Sequence, residues 1–306
     1  LLNIPSISTG IAENWIIEGN PKSAIGLSLV ALLIIFTLII FEKFSRRKSK
    51  RWSENPAAQD SQGWILKKHR AFLAITISLF PPIFSFGIPC FWVLLNIDQI
   101  KKGFSTELLS LSFRTISLGL ITALITMLFS LMLSLACRPN KSVLLRLTSN
   151  LAGIGYAIPG TVLALSLISI SSSKFNIIAI CLLIWGYVVR FLTISKGSID
   201  SSLERISPRL DEAALGLGES WLGIIKRIYL PLLKGPIFVG ALLVFVDTIK
   251  ELPLTFILRP FDFDTLSVRI YQYAGDERMV EAILPAIFIM TLGLIASITL
   301  IPSLEK

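Results

Sequence analysis

Seven stretches of this chain are apolar almost without interruption: about 23–41, 71–95, 113–136, 150–171, 176–195, 236–258 and 281–301. Polar, charge-bearing connectors run between them. Leu, Ile, Ala and Phe dominate the apolar stretches, at lengths near the roughly 20 residues a helix needs to cross a bilayer. They are too long for buried strands, and in hydrocarbon the backbone must satisfy its own hydrogen bonds, which predicts helix. The pattern therefore predicts an all-α, polytopic membrane protein. Composition agrees: 53% of the 306 residues are hydrophobic and 16% charged, more apolar surface than one soluble core can hide.

Charge sets the orientation. The connector 42–70 carries Lys43, Arg46, Arg47, Lys48, Lys50, Arg51, Lys67, Lys68 and Arg70, and the connectors 137–149 and 196–235 are also rich in Lys and Arg. Basic connectors stay in the cytoplasm, so the N-terminus is expected outside and the C-terminus inside. The net charge of +9 reflects this retention signal; it sits in clusters beside the bilayer and not in a folded basic domain, which points away from nucleic acid. An odd number of spans starting outside, with Leu1 as first residue, predicts the tail of one module followed by a whole second one. On that division, 1–42 is a periplasmic segment and the last span of a first module. Residues 43–70 are a basic cytoplasmic linker, and 71–306 hold six spans with a polar loop at 201–235.

That loop carries the most specific motif. Glu212-Ala-Ala is followed at fixed spacing by Gly218, then by Ile228, Leu230 and Pro231. Apolar positions from Leu210 to Ile228 recur at helical spacing, which predicts two short helices broken near Gly216 and Gly218. The spacing resembles the EAA loop of importer-type ABC permeases. A second run, Lys250-Glu-Leu-Pro through Leu258-Arg-Pro-Phe-Asp-Phe-Asp-Thr-Leu266 to Arg269-Ile-Tyr-Gln272, is similar to a signature of ferric-iron ABC permeases. Gly155-Tyr-Ala-Ile-Pro-Gly160 and Tyr187-Val-Val-Arg-Phe191 resemble segments of the same family. Ser267 stands where that family usually has Ala.

The resemblance implies the permease fold of that class, a MetI-like six-helix module, and no catalysis by this chain. ATP and Mg would bind a cytoplasmic ATP-binding subunit, acting as a dimer, which receives the EAA loop. Glu212, Ala213, Ala214 and Gly218 are assigned to that contact; Ile228, Leu230 and Pro231 are assigned to anchoring the loop on its own bundle. A periplasmic iron-binding protein would deliver ferric iron, and a first permease half, fused or separate, would complete the path. Other cargoes (thiamine, an organophosphate) and an ion-coupled carrier without an ATPase are the rival functions.

No phosphate-binding G-x-x-x-x-G-K-[ST] loop is present, and His69 is the only histidine, set among Lys67, Lys68 and Arg70 on a solvated basic face. Cys90, Cys137 and Cys181 have no metal-ligand spacing and are expected as buried packing. Asp247, Lys250 and Glu251 fall at i, i+3 and i+4 near the outer half of the helix expected at 236–258, which puts them on one helical face. Such groups at membrane depth face a path or each other. Both readings stand: carboxylates suited to a trivalent cation, or a self-compensating cluster that locks packing around Pro253. Arg190 is expected to snorkel to the interface. The polar, aromatic segment 259–280, with Asp262, Asp264, Tyr271 and Tyr273, is either a docking face for the delivering protein or a re-entrant turn.

Overall fold

The computed structural model describes residues 6–46, 66–98, 105–139, 142–170 and 176–304, and every regular element among them is helical. The first is α1 (Ile7–Ile16), capped by Ser6, whose hydroxyl accepts the Thr9 N–H at 3.1 Å. It lies against α2 (Pro21–Arg46). Most of the linker expected at 43–70 falls outside the described residues. Next come α3 (Lys68–Leu95) and α4 (Thr106–Cys137), the latter capped by Ser105.

The stretch expected as one span at 150–171 is not one helix. It is built from α5 (Val143–Ala152), a 3₁₀ turn (Gly155–Ala157) and α6 (Gly160–Ile170), bent by 115°. Pro159 is the cause: it offers no N–H, and it holds Ile158 in extended backbone at ψ 124°. After α7 (Asn176–Leu203) come α8 (Arg209–Gly216) and α9 (Trp221–Leu232). A 71° bend then leads to α10 (Lys234–Ile249). The expected span 236–258 is also cut, because α10 stops at Ile249 and Pro253 opens a separate helix, α11 (Pro253–Leu258). Two more follow, α12 (Leu266–Gly275) and α13 (Met279–Leu304). Among the described residues, five helices are long and apolar enough to cross a membrane, or up to seven if each bent pair is one span.

Helices α4, α7 and α10 pack together at the centre. On α4 the buried face is a stripe of small and hydroxyl residues: Ser112, Thr115, Gly119, Thr122, Thr126, Ser130 and Ser134. Small side chains let helices approach closely where lipid offers no hydrophobic drive to associate. A Cβ built on Gly119 would stand 2.8 Å from the Phe245 ring, and one on Gly240 2.7 Å from Met127 Cε. Hydroxyls fasten the contact: Ser130 to Ser195, and Ser198 to the Pro236 carbonyl at 2.8 Å. By contrast, α3 buries no side chain in this chain. It leaves Phe72, Ile77, Phe91 and Leu94 exposed. Cys90 and Cys181 are exposed and Cys137 is half-buried, so the cysteines are not core packing as expected.

Candidate functional site

The polar loop is a helix–turn–helix with a specific reason for its glycine. Helix α8 begins with Asp211 and Glu212 in its first turn, where carboxylates complement the helix dipole. It ends in paired bonds: Gly218 N–H donates to the Leu215 carbonyl at 3.0 Å, and Glu219 N–H to the Ala214 carbonyl at 3.0 Å. This Schellman arrangement requires left-handed backbone at the residue that follows the cap. Gly218 supplies it at φ +84°. Ser220 then caps α9, its hydroxyl accepting the Gly223 N–H at 3.2 Å. Residues Ile225–Tyr229 widen into a π turn, with Leu230 N–H bonded to the Ile225 carbonyl five residues back. Pro231, which has no N–H and crowds the preceding turn, accounts for the slack.

The seven motif residues divide differently from the expectation. Glu212, Ala213 and Gly218 are exposed. Ala214 is not: it is buried in a cluster with Ile199, Leu203, Ile224, Tyr229 and Leu233, and so faces its own bundle. The loop presents Leu217 instead, 87% exposed beside the turn, with Leu222 at 68%. Ile228 packs on the cluster as expected of an anchor, but Leu230 and Pro231 are exposed in this chain. Tyr229 and Leu233, fully buried, do the anchoring.

A guanidinium fixes the loop to the bundle. Arg138, just past the end of α4, donates through Nε to Asp211 Oδ2 at 3.0 Å. Its Nη1 and Nη2 donate to the carbonyls of Leu203 and Ile206, each at 2.7 Å. Those carbonyls lie at and just past the end of α7, where the helix ladder no longer continues; the Leu203 carbonyl also accepts the Ile206 N–H at 3.1 Å. Tyr229 donates its hydroxyl to Asp211 Oδ1, and Arg138 lies 5.1 Å from the centre of its ring. One half-buried cation therefore joins α4, α7, α8 and α9. In the sequence Arg138 is one basic connector residue among several. Its partner is 73 positions away, and no local pattern marks it.

The three ionisable residues at 247–251 separate. Lys250 pairs with Asp247 at 2.7 Å and is itself largely exposed. Glu251 belongs to another group, because α10 has ended and the chain turns it inward. Its Oε1 accepts the Leu254 N–H at 3.4 Å, at the start of α11. Its Oε2 lies 3.8 Å from Arg190 Nε. Arg190 does not snorkel: its side chain is 16% exposed, and Nη1 donates to the Ile158 carbonyl at 2.9 Å. That carbonyl is one that the break before α6 leaves free. A Cβ on Gly160 would meet Glu251 Oε1 at 2.7 Å and Arg190 Nη1 at 3.1 Å. Two helix breaks thus face each other across one ion pair. Gly160→Ala is expected to destabilise the folded chain by about 1–3 kcal/mol, the range for overpacking a tight interior. Thermal melting in detergent measures it, and an unchanged midpoint would show that the pair gives way freely.

At the opposite end from the loop, Asp264 is held by Arg259, and Arg269 Nη2 lies 3.6 Å from it. Arg269 also binds Glu107 at the start of α4. Asp262 is exposed at φ +61°, and its carbonyl accepts from Arg114 at 2.5 Å. Tyr271 is 46% exposed, with its ring 5.2 Å from Phe256. Tyr273 lies between Arg269 and Arg278, at 5.7 and 5.0 Å. A cavity of about 580 Å³ opens among Phe256, Arg269, Gln272, Tyr273 and Arg278. The segment holds helix α12 and so is more than a re-entrant turn, and Asp264 is committed to its arginines.

Residues 130–304, more than half of the chain and including the whole loop, match the family described as binding-protein-dependent transport system inner membrane component. This chain belongs to that family. It is a multi-pass protein of the inner membrane. A relative in Haemophilus influenzae, a Fe(3+)-transport system permease protein, is 25% identical over 292 residues. The match covers 92% of this chain and 57% of the relative, so the chain spans little more than half of that protein's length. A solved bacterial alginate ABC transporter, in complex with an alginate-bound periplasmic protein, superposes with a TM-score of 0.49 at 15% identity. That superposition covers 77% of this family member and 93% of the solved chain.

Proposed function

We propose that this chain is the membrane-spanning subunit of an ATP-driven importer for ferric iron. In this reading a periplasmic binding protein delivers the cargo at the face formed by α12. A separate cytoplasmic ATPase receives the α8–α9 loop, and the first permease half, fused or separate, completes the path. The observation that carries the reading is the loop itself. Its tip exposes Leu217 and Glu212, while its base is fixed to two other helices, α4 and α7, through Arg138. An exposed apolar tip on a rigid base is suited to transmit a push from a partner to the bundle. Family membership supports an importer, and the Haemophilus influenzae relative supports iron.

The mechanism follows from the elements. Closure of the ATPase dimer would displace α8. Because Arg138 holds Asp211, Tyr229 and the end of α7 together, the displacement would move α4, α7 and α9 as one body. The 71° bend between α9 and α10 then turns it into a tilt of α10. The test is uptake of labelled ferric iron by proteoliposomes that hold the full-length protein, its ATPase and its binding protein. ATP-dependent entry of iron is expected. ATP turnover stimulated by the binding protein without entry of iron would discard the cargo, and transport without ATP would discard the importer.

Leu217→Asp isolates the partner contact. Its side chain touches little of this chain, so membrane yield and melting should be unchanged. Co-purification with the ATPase should fall at least tenfold, the loss expected when a buried apolar anchor is replaced by a charge. Equal co-purification would place the contact elsewhere.

A further inference from the structure

The charged pair between the helix breaks is also wired to the face at which cargo is expected to arrive. The carbonyl of Glu251 accepts two hydroxyl donors: Thr255 at 2.7 Å, from α11, and Ser267 at 2.9 Å, from the first turn of α12. Ser267 in turn bonds the Thr265 hydroxyl, and Leu266 N–H donates to Thr115 Oγ1 on α4 at 3.0 Å. Thr255 also bonds the hydroxyl of Tyr187, one turn before Arg190 on α7. A shift of α12 therefore moves the backbone of Glu251 directly, through one buried hydrogen bond.

The side chain of Glu251 is poised to register such a shift. Its contact with Arg190 is loose at 3.8 Å, and Arg190 Nε has no hydrogen-bond partner among the described residues although it is buried. A buried guanidinium N–H left unpaired is costly, so a small movement of Glu251 that closes the gap gains an interaction absent here. On the far side, Arg190 holds the Ile158 carbonyl at the mouth of the break, and Gly160 leaves no spare room beside the carboxylate. The contacts form an unbroken physical series from α12 to the start of α6.

We propose that Arg190 and Glu251 are a positioning pair that transmits the state of α12 to the break before α6, with Ser267 as its input. The inference rests on the importer reading and adds to it the residues through which docking of the binding protein is sensed. Glu251 then acts as a strut, not as a ligand for the cargo.

The test uses the full-length permease with its ATPase and binding protein in proteoliposomes, and compares basal with binding-protein-stimulated ATP hydrolysis. Ser267→Ala removes the input without leaving a buried charge. Basal turnover should persist while stimulation falls about tenfold, within the range of a coupling of 1–3 kcal/mol. The double variant Arg190→Gln/Glu251→Gln should assemble better than either single one, since neither charge is left alone, and it should show the same loss of stimulation. Stimulation at the unaltered level in Ser267→Ala, or in the assembled double variant, would reduce the pair to packing and overturn the proposal. If the double variant fails to assemble, Ser267→Ala decides alone. Lack of any stimulation in the unaltered protein would overturn the importer reading itself.

Discussion

Replacing Arg138 by methionine is expected to be the most damaging single change in this chain. The guanidinium is 13% exposed and makes three hydrogen bonds, to Asp211 and to the carbonyls of Leu203 and Ile206. Its loss leaves the half-buried Asp211 carboxylate without its cation, takes the guanidinium donor from the Ile206 carbonyl and leaves the Leu203 carbonyl with the Ile206 N–H alone. Breaking a buried pair by removing one member costs about 3–5 kcal/mol. Asp211 keeps the Tyr229 hydroxyl, which holds the expected loss to the lower part of that range. The functional effect should exceed the thermal one, because the surviving polar contact ties α8 only to α9, and only the packing of Ala214 still holds α8 to α7. Uptake and ATPase coupling should fall together, by more than tenfold, while the isolated bundle still inserts. The informative control is Arg138→Met with Asp211→Asn: removal of both charges should recover most of the melting temperature and none of the coupling. Recovery of transport in the double variant would show that the brace is needed for stability alone.

That brace shows where sequence reasoning ends. The loop motif was legible because its requirements are local: a helix that must stop needs Gly218 in left-handed backbone, and Pro231 disturbs the turn that precedes it. The seven apolar stretches were legible because bilayer thickness fixes their length. Helix breaks were half legible. Pro159 and Pro253 both mark an end, yet the i, i+3, i+4 reading of Asp247, Lys250 and Glu251 ran the helix through to 258. The structure stops it at Ile249 and sends Glu251 to the other side. Arg138 with Asp211, and Arg190 with Glu251, were not legible at all. Periodicity gives the face a residue occupies; it does not name the helix opposite. Arg190 illustrates the consequence: a lone arginine near a helix end reads as a residue that reaches for water, and only the free carbonyl at Ile158 shows why it stays inside.

Gly218→Val is expected to abolish coupling with little change in the bundle. A Cβ at this position meets nothing within 4 Å, so the obstacle is conformational, not steric. Left-handed backbone costs a residue with a side chain roughly 1–2 kcal/mol, and for a β-branched residue it is a true outlier. The Gly218 and Glu219 N–H bonds that end α8 would be sacrificed first, because the loop is exposed and the three-helix centre does not depend on it. Leu217 would then leave its place beside the turn, and ATP-dependent uptake should fall more than tenfold at unchanged membrane yield. Gly218→Asn separates the two possible causes. Asn tolerates left-handed backbone, so it should retain most of the uptake if the turn's shape is what matters. Loss in both variants would mean that the empty space beside Gly218 is filled by the partner subunit, and that the glycine is kept for contact. Normal uptake with valine would show that the turn does not take part in coupling.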